Sequence, residues 1–396
     1  MLRLRDPFHR SQLAIAALFC SLGFQYATWA SRIPAIKADL DLSDAEVGVL
    51  LMAAGIGAAV SFPLVAVLMR RLGSQRLALL SALCLALLLL ALAGAPNYPV
   101  ALLVMCVDGV LVGALNVAMN AQGAELESRY ERNAMARLHA TFSGGSLLAA
   151  LLASGMNAVT STVAVHFAAA AAFLLLLVAY ARTGLLAEKA DSAKETAEAG
   201  EERQPATPAK SKWTVPSSMT LWMCVAMAFG TVTEGAMNDW SALYLKDVAD
   251  ASAELAPLGI AVVSGMMVVA RLFADGWRSR WGDGRIVLSG SVLAGAGLAL
   301  ALLSGGLVPA LLGFACVGLG IAAVTPCVYV AAAGQGSDSL TLVAAMGTTG
   351  LLAGPPLIGF IAHASSLVWG LAAVAASALV VSACSTRIRW PATTSG

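Results

Sequence analysis

Long apolar runs, separated by short polar or basic segments, follow one another along the whole chain. A helix that crosses a bilayer needs about 20 mostly apolar residues. Turn signals and charges divide the chain into twelve such runs, at 12–33, 44–69, 77–95, 100–123, 139–160, 163–182, 217–245, 257–276, 286–305, 308–333, 341–362 and 365–385. The pattern predicts an all-α membrane protein with twelve transmembrane helices.

Basic side chains set the expected orientation, because short cytoplasmic loops are enriched in Lys and Arg. With the N-terminus in the cytoplasm, 20 of the 24 Lys and Arg fall in cytoplasmic segments and three fall outside. Arg271 lies inside a span. We therefore expect cytoplasmic N- and C-termini.

A charged stretch divides the runs into two sets of six. Residues 184–216 are rich in charge, Pro and Ala, and they cannot bury enough apolar surface to fold alone. We expect an N-terminal six-helix bundle over 1–183, a cytoplasmic linker over 184–216 and a C-terminal six-helix bundle over 217–396.

The two sets of six are weakly repeated. A shift of 211 residues places Trp29 on Trp240, and a shift of 209 places the basic loop ending at Gly73 on the one ending at Gly282. The nearly constant offset indicates two pseudo-symmetric six-helix bundles. Two parallel halves with a site between them near the midplane are typical of alternating-access transporters.

Composition excludes several classes of protein. The chain is 59% apolar and 12% charged, with a mean hydropathy of +0.80, whereas soluble domains are about half apolar and a quarter charged. This excludes a soluble enzyme and a disordered scaffold. The net charge of +1 attracts no polyanion, so we expect a lipid bilayer and no nucleic acid as the surroundings.

The sequence contains no recognisable motif for catalysis or for binding a cofactor. The seven cysteines lie inside apolar stretches without paired spacing, which favours core residues over disulfides or metal ligands. We find no phosphate-binding loop, metal-spaced set or catalytic triad. We expect no enzyme activity, no cofactor and no metal, and any pumping must use an ion gradient.

Polar side chains inside the predicted spans are candidates for solute contacts, because such groups are costly in hydrocarbon. For Arg32 two interpretations stay open, either a contact for an anionic solute or a side chain that reaches the outer interface. The expected cavity residues are Gln25, Thr28, Arg32, Asn116, Asn120, Asn238, Trp240 and Tyr329.

Three carboxyl groups are candidates for proton coupling, since a carboxyl group buried in the membrane can carry a proton at neutral pH. They are Asp108, Glu234 and Asp239. The alternative for each is structural. Either acid of span seven can be solvated near the outer helix end, and Asp108 can be a satisfied structural carboxylate.

Candidate gate residues lie where the halves are expected to move. Arg271 and Asp275 are one helical turn apart, which fits either a surface salt bridge or a latch. Pro355 and Pro356 loosen span eleven, although kinks are common in membrane bundles. The expected gate set is Arg70, Arg71, Arg271, Asp275, Pro355 and Pro356.

The 6+6 layout, the central linker and the basic Gly-containing loops after spans two and eight resemble the major facilitator superfamily. Four local strings resemble its YbjJ-like bacterial inner-membrane branch, which is distantly similar to the fucose permease type. They lie at 29–34 (WASRIP), 117–122 (VAMNAQ), 234–241 (EGAMNDWS) and 354–359 (GPPLIG). The resemblance implies a transporter in a bacterial inner membrane and no known substrate.

Three departures from the superfamily pattern disfavour a conventional multidrug antiporter. Arg70 stands where the loop after span two usually has an Asp. Span four carries no Arg, and span five carries no Pro.

Taken with the polar cavity wall, the pattern favours a monomeric secondary active transporter of a small organic solute that works by alternating access and is coupled to protons. A drug or metabolite efflux antiporter is the first alternative, and a non-transporting membrane receptor is the second.

Overall fold

Thirteen α-helices and no strand make up the part of the chain that the computed structural model describes, which is residues 6–132, 134–186 and 216–390. The first six helices are α1 Pro7–Ala30, α2 Ile33–Asp39, α3 Asp44–Ala93, α4 Tyr98–Tyr130, α5 Met135–Val159 and α6 Val163–Ala181. The others are α7 Ser218–Asp247, α8 Leu258–Trp281, α9 Asp283–Ser304, α10 Leu307–Ile321, α11 Val324–Ala333, α12 Ser337–Ala364 and α13 Leu367–Ser385.

Ten stretches of these described residues are long and apolar enough to cross a membrane. Helices α7 and α8 are the exceptions, because α7 is more polar and the apolar stretch of α8, Leu258–Ala274, is shorter. The all-α membrane fold is confirmed. The number of twelve spans and the cytoplasmic position of the termini stay predictions.

Three predicted spans differ in detail from the helices observed. Spans two and three form one helical segment, α3, which is broken only at Gly73. The predicted span 308–333 contains two helices, because α10 ends at Ile321 and α11 begins at Val324. Pro326 is the third residue of α11, and its missing N–H removes a backbone hydrogen bond across this break.

Side-chain caps fix the starts of several helices. Ser43 and Glu46 form a capping box at α3, in which the Ser43 N–H donates to Glu46 Oε2 over 2.8 Å and the Glu46 N–H donates to Ser43 Oγ over 3.3 Å. Asn97 accepts from the Val100 N–H over 3.1 Å at the start of α4, and Pro99 suits the first turn. These residues end the connecting loops and start the long apolar runs.

Two backbone features recur in both sets of helices that the predicted repeat relates. Gly73 has φ 73° and ψ 165°, and Gly282 has φ 79° and ψ 151°. Only glycine adopts this region readily. Helices α1 and α5 also touch where Gly145 meets the Cys20 carbonyl, and α7 and α12 touch in the same way where Gly350 meets the Ala228 carbonyl.

The linker predicted over 184–216 lies outside the described residues, except at its two ends. At the first end, the Leu186 N–H donates to Gln122 Oε1 over 2.8 Å, and Gln122 Nε2 donates to the Leu186 carbonyl over 2.9 Å. The chain therefore leaves the first half in a fixed position beside α4.

Two seams join the half made of α1–α6 to the half made of α7–α13. Helix α5 packs against α8, and α3 packs against α12. At the second seam Gly359 faces the backbone of Asp44 and Gly48, so closely that a Cβ on Gly359 would lie 2.9 Å from Gly48 Cα. At this point of the seam, the backbone of α12 touches the backbone of α3 directly.

Burial differs between the two ends of the bundle. We call the end that carries the start of α1 the terminal end, and the end that carries residues 31–43 and 248–257 the distal end. One buried apolar cluster runs through the second half and the distal part of the first. A second cluster, at the terminal end, draws only on the first half. The halves therefore share a core distally and not at the terminal end.

We expect Gly282→Ala to destabilise the protein, because an Ala at this φ and ψ costs about 1–3 kcal/mol. The midpoint of thermal unfolding in detergent should fall. Gly276→Ala is the matched control on the same helix, since a Cβ there meets no atom within 4 Å. If the Gly282→Ala and Gly276→Ala variants unfold at the same temperature, the backbone at residue 282 does not require glycine.

Candidate functional site

A pair of buried polar side chains links α1 to α4 inside the first half. Gln25 Nε2 donates to Asp108 Oδ1 over 2.6 Å, and the two residues are 1% and 4% exposed. Among the described residues, Asp108 takes part in no ion pair. Its observed partner is therefore a neutral amide.

A second pair crosses between the halves. The Tyr26 hydroxyl of α1 donates to Asp239 Oδ1 of α7, and Asp239 is 4% exposed. Tyr26 also lies within electrostatic reach of the Glu234 and Asp108 carboxyl groups. Asp108 and Asp239 lie about 12–15 Å along their helices from the distal end. Both acids therefore lie inside the bundle and not in solvent at a helix end.

Arg271 makes a third polar contact, and this contact also crosses between the halves. Its Nη2 lies 3.2 Å from Glu234 Oε1 in the second half, and its Nη1 donates to Ser143 Oγ of α5 in the first. The side chains of Arg271 and Glu234 are each 26% exposed. Because charged groups facing lipid are costly, this face borders the space between the halves.

The predicted cavity amides bond mainly to their own helices. Asn120 Nδ2 donates to the Asn116 carbonyl over 2.7 Å and to Asn116 Oδ1 over 2.9 Å. Asn238 Nδ2 donates to the Glu234 carbonyl over 3.1 Å. Asn116 is exposed, whereas Asn120, Asn238 and Tyr329 are half-buried. Their remaining donor and acceptor capacity is available to a solute.

Buried polar atoms of α1 and α7 that have no hydrogen-bond partner among the described residues include Gln25 Oε1 and the indole nitrogens of Trp29 and Trp240. The Trp29 ring lies edge-on to Tyr26, with ring centroids 4.9 Å apart. The two tryptophans are the pair that the 211-residue shift relates. Unpaired donors in matching positions of the two halves are suited to a hydrogen-bonding solute.

Two other predicted cavity residues are buried within the first half. Thr28 donates to the Phe24 carbonyl of its own helix over 2.7 Å and is fully buried. Arg32 is 3% exposed, and its Nε donates to His166 Nδ1 of α6 over 3.0 Å. Its Nη1 also lies 3.3 Å from the Ser161 carbonyl. The guanidinium group is thus held among helix ends of the first half.

The predicted gate residues lie apart from one another. Arg70 and Arg71 are exposed at the terminal end, beside Gly73. Pro355 and Pro356 are buried in α12, and their backbone faces Gly48 of α3. A Cβ on Gly48 would lie 3.1 Å from the Pro355 carbonyl oxygen and from Pro356 Cα. Arg271 contacts Glu234 and Ser143, as described above, and the Asp275 side chain lies outside the described residues.

An ion cluster that the sequence analysis missed joins the halves at the distal end. Lys37 Nζ of α2 lies 2.7 Å from Asp44 Oδ1 in its own half and 2.8 Å from Asp247 Oδ2 at the end of α7. Burial lowers the pKa of Lys37, but hydrogen bonds to the two carboxylates more than offset this, so its pKa lies above the ordinary value. We call these three residues the distal latch.

Two amide and hydroxyl contacts reinforce the distal latch. Ser154 Oγ donates to the Glu254 carbonyl over 2.6 Å, and Asn157 Nδ2 donates to the Ala253 carbonyl over 2.6 Å. Both connect α5 to the loop between α7 and α8. Together with the distal core, they close the distal end of the bundle around the polar cluster.

Tyr26, Ser143 and Lys37 carry these contacts, and none of them was among the predicted site residues. The signal for Tyr26 was its place beside Gln25 on a polar stretch of span one. Lys37 and Asp247 lie 210 residues apart, so no local spacing could pair them.

Repeated helical halves that enclose a polar cluster define a multi-pass membrane transporter of small solutes. The family model described as "Major Facilitator Superfamily" matches residues 13–338. The chain belongs to the major facilitator superfamily, and the resemblance seen in the sequence is confirmed.

Three relatives are each 31% identical to this chain. One is described as an uncharacterised MFS-type transporter of Yersinia pestis, with 96% of each chain covered. A second is an uncharacterised transporter of Sinorhizobium fredii, with 93% of this chain and 94% of the relative covered. The third is membrane protein MosC of Rhizobium meliloti, with 94% and 88% covered.

Solved structures show the same fold at low identity. The nucleoside transporter NupG, in its D323A mutant form, is 14% identical with a TM-score of 0.71, over 96% of this chain and 99% of that chain. A bacterial homologue of the human lysosomal transporter Spinster, in an inward-facing and occupied conformation, is 14% identical with a TM-score of 0.69, over 98% and 99%.

We expect Lys37→Gln to loosen the distal end, because Asp44 and Asp247 lose the cation between them. Hydrogen–deuterium exchange should rise in residues 31–43 and 248–257 and stay unchanged around residues 70–76. Wild-type protein should show the same rise only when the pH passes the raised pKa of Lys37, since the latch keeps its charge below that value.

Lys246→Gln is the matched control, because among the described residues Lys246 hydrogen-bonds to the Ala251 carbonyl of its own half, at 3.5 Å, and forms no salt bridge to the other half. Equal exchange in the Lys37 and Lys246 variants would rule out a role of the distal latch in holding the halves together.

Proposed function

We propose that this protein is a secondary transporter that moves a small polar organic solute across a bacterial inner membrane by alternating access, driven by protons. The observation that carries the proposal is the Tyr26–Asp239 hydrogen bond, which joins the halves beside a second buried acid. The bacterial relatives support the proposed location.

The orientation that we propose places the terminal end in the cytoplasm, on the strength of the 20 basic residues assigned to that side. The distal end then faces the periplasm, where the latch and the shared core close the bundle. In this orientation the structure represents a form that is closed to the periplasm.

Protons act, in our proposal, at Asp108 and Asp239. Each has a neutral hydrogen-bond partner, Gln25 or Tyr26, so gaining or losing a proton leaves no buried cation without its counter-ion. Glu234 differs, because Arg271 neutralises it. We therefore assign Glu234 to the contact between the halves rather than to proton transfer, although the sequence had placed it among the proton candidates.

Proton occupancy and the conformation of the halves are coupled through Tyr26. A hydrogen bond to an ionised carboxylate is about twice as strong as one between neutral groups. Protonation of Asp239 therefore weakens the bond that joins α1 to α7, and the halves separate more easily at the distal end. Loss of the proton restores the bond and favours closure.

A polar solute fits the groups around the two acids. Within the described part of the chain, Gln25 Oε1 and the indole nitrogens of Trp29 and Trp240 have no hydrogen-bond partner. A site that must pair buried donors and acceptors rejects solutes that cannot hydrogen-bond. This favours a hydrogen-bonding solute over an amphipathic drug.

Replacing Asp239 by Asn should abolish proton-driven accumulation while leaving solute exchange intact. The assay is proteoliposomes with an imposed pH gradient, screened against sugars, nucleosides, organic acids and amphipathic drugs. Asp41→Asn is the control, because Asp41 is an exposed carboxylate at the distal end.

Each other outcome of this assay contradicts a defined part of the proposal. Flux with amphipathic drugs alone would indicate an efflux antiporter. No flux with any solute would indicate a non-transporting receptor, and full accumulation by both Asp239→Asn and Asp108→Asn would remove the acids from the mechanism.

Tyr26→Phe should favour the form that is open at the distal end, because a hydrogen bond to a charged group contributes about 1.5–3 kcal/mol. The ratio of the two forms should change by about 10- to 100-fold. Spin labels at the exposed positions Arg71 and Arg280, in a cysteine-free background, should report a shorter distance at the terminal end.

Tyr180→Phe is the matched control, since Tyr180 is exposed on α6. An unchanged distance distribution in the Tyr26→Phe variant, with the same labels and background, would show that the crossing bond does not set the conformation.

A further inference from the structure

An apolar groove of about 760 Å³ lies on the outer face of the second half, outside the polar site. It runs along α9 from Arg285 to Leu300, with Cys316 of α10 on its other side. Its lining residues belong to α9 and α10, and neither helix forms the two seams between the halves. In a chain that spans a membrane, such a face is bathed in lipid.

Small residues create the groove. A Cβ on Gly297 would lie 2.6 Å from Cys316 Cβ, so α9 and α10 meet there with no side chain of α9 between them. Ala296, next to this contact, has a small side chain that does not fill the groove. Val292 and Leu300, which are 43% and 64% exposed, form the apolar walls.

A single basic residue stands at one end of the groove. Arg285 is exposed and forms no salt bridge within the part of the chain that the structure describes. Trp390 packs on Gly284, which directly precedes Arg285 in the chain. The Trp390 indole donates to the Ser385 carbonyl over 3.0 Å. A cation beside a tryptophan at the end of a membrane helix is typical of the level of lipid headgroups.

The geometry points to a binding site for an anionic glycerophospholipid, with one acyl chain in the groove and its phosphate on Arg285. The distance along α9 from Arg285 to Leu300 is about 22 Å, which accommodates a chain that extends through one leaflet of about 15 Å. The positive end and apolar length of the groove match the two parts of such a lipid.

A second groove in the same chain supplies an internal comparison. It has a volume of about 500 Å³ and is lined by Ile361, Trp369, Ala373 and neighbouring residues of α12 and α13 at the distal end. No basic side chain lines it. If apolar shape alone retained lipid, this groove would do so as well, without preference for a charged headgroup.

Native mass spectrometry of the purified full-length chain tests the site. The protein is incubated with phosphatidylglycerol or phosphatidylcholine of identical acyl chains, and the retained lipids are counted. Wild type should retain one phosphatidylglycerol in preference to phosphatidylcholine. Arg285→Gln should weaken phosphatidylglycerol binding about fivefold, and Arg285→Lys should keep most of the preference.

Ala296→Trp should fill the groove and remove the retained lipid of either kind. The matched controls are Ala373→Trp in the second groove and Arg182→Gln, which removes an exposed arginine from the terminal end of α6. Both should bind as wild type does. Thermal unfolding in detergent checks that all variants are folded.

Three results would overturn the site. Equal retention of the two lipids by wild type would remove the role of Arg285. Retained lipid in the Ala296→Trp variant would place the lipid elsewhere. A wild-type dimer that the Ala296→Trp variant converts to monomer would show that a second copy covers the groove. None of these results depends on solute transport, so the proposed function stands or falls separately.

Discussion

The low polarity of a membrane interior is the constraint on which this structure depends. A polar group in that environment must find a partner or face water, because an unpaired one costs several kcal/mol. The acids, amides and arginine inside the bundle therefore pair with one another, either within the first half or across the two halves. Gln25 with Asp108, Tyr26 with Asp239, and Arg271 with Glu234 and Ser143 all follow from this requirement.

Repetition supplies the two bodies, and unequal contacts between them supply the conformation. Gly73 and Gly282 repeat the same strained turn, and Gly145 and Gly350 repeat the same close helix contact. The contacts between the halves do not repeat, since the latch and the shared core lie only at the distal end. A repeated pair of bundles thus adopts an asymmetric form, as the alternating access that we propose requires.

Hydropathy predicted the membrane helices because burial in lipid is a property of a local run of residues. It also identified the acids of spans four and seven, since charge inside an apolar run is visible in one dimension. The partners of Asp239 and Lys37 could not be predicted from the sequence, because the helical period gives the face on which a residue lies but not the helix that packs against that face. The break before Val324 was missed because alanine-rich sequence at 322–323 carries no turn signal.

Gly48 and Gly359 bring the backbones of α3 and α12 into direct contact at one part of their seam. No side chains interdigitate there, so separation requires none to be withdrawn. A gap of about 0.5–1 Å already loses a quarter to a half of the dispersion attraction between such surfaces. A gap of that width is too narrow to admit water, so a slightly opened seam is less stable than a closed one. Under the alternating access that we propose, this backbone contact favours a fully closed seam over a slightly opened one.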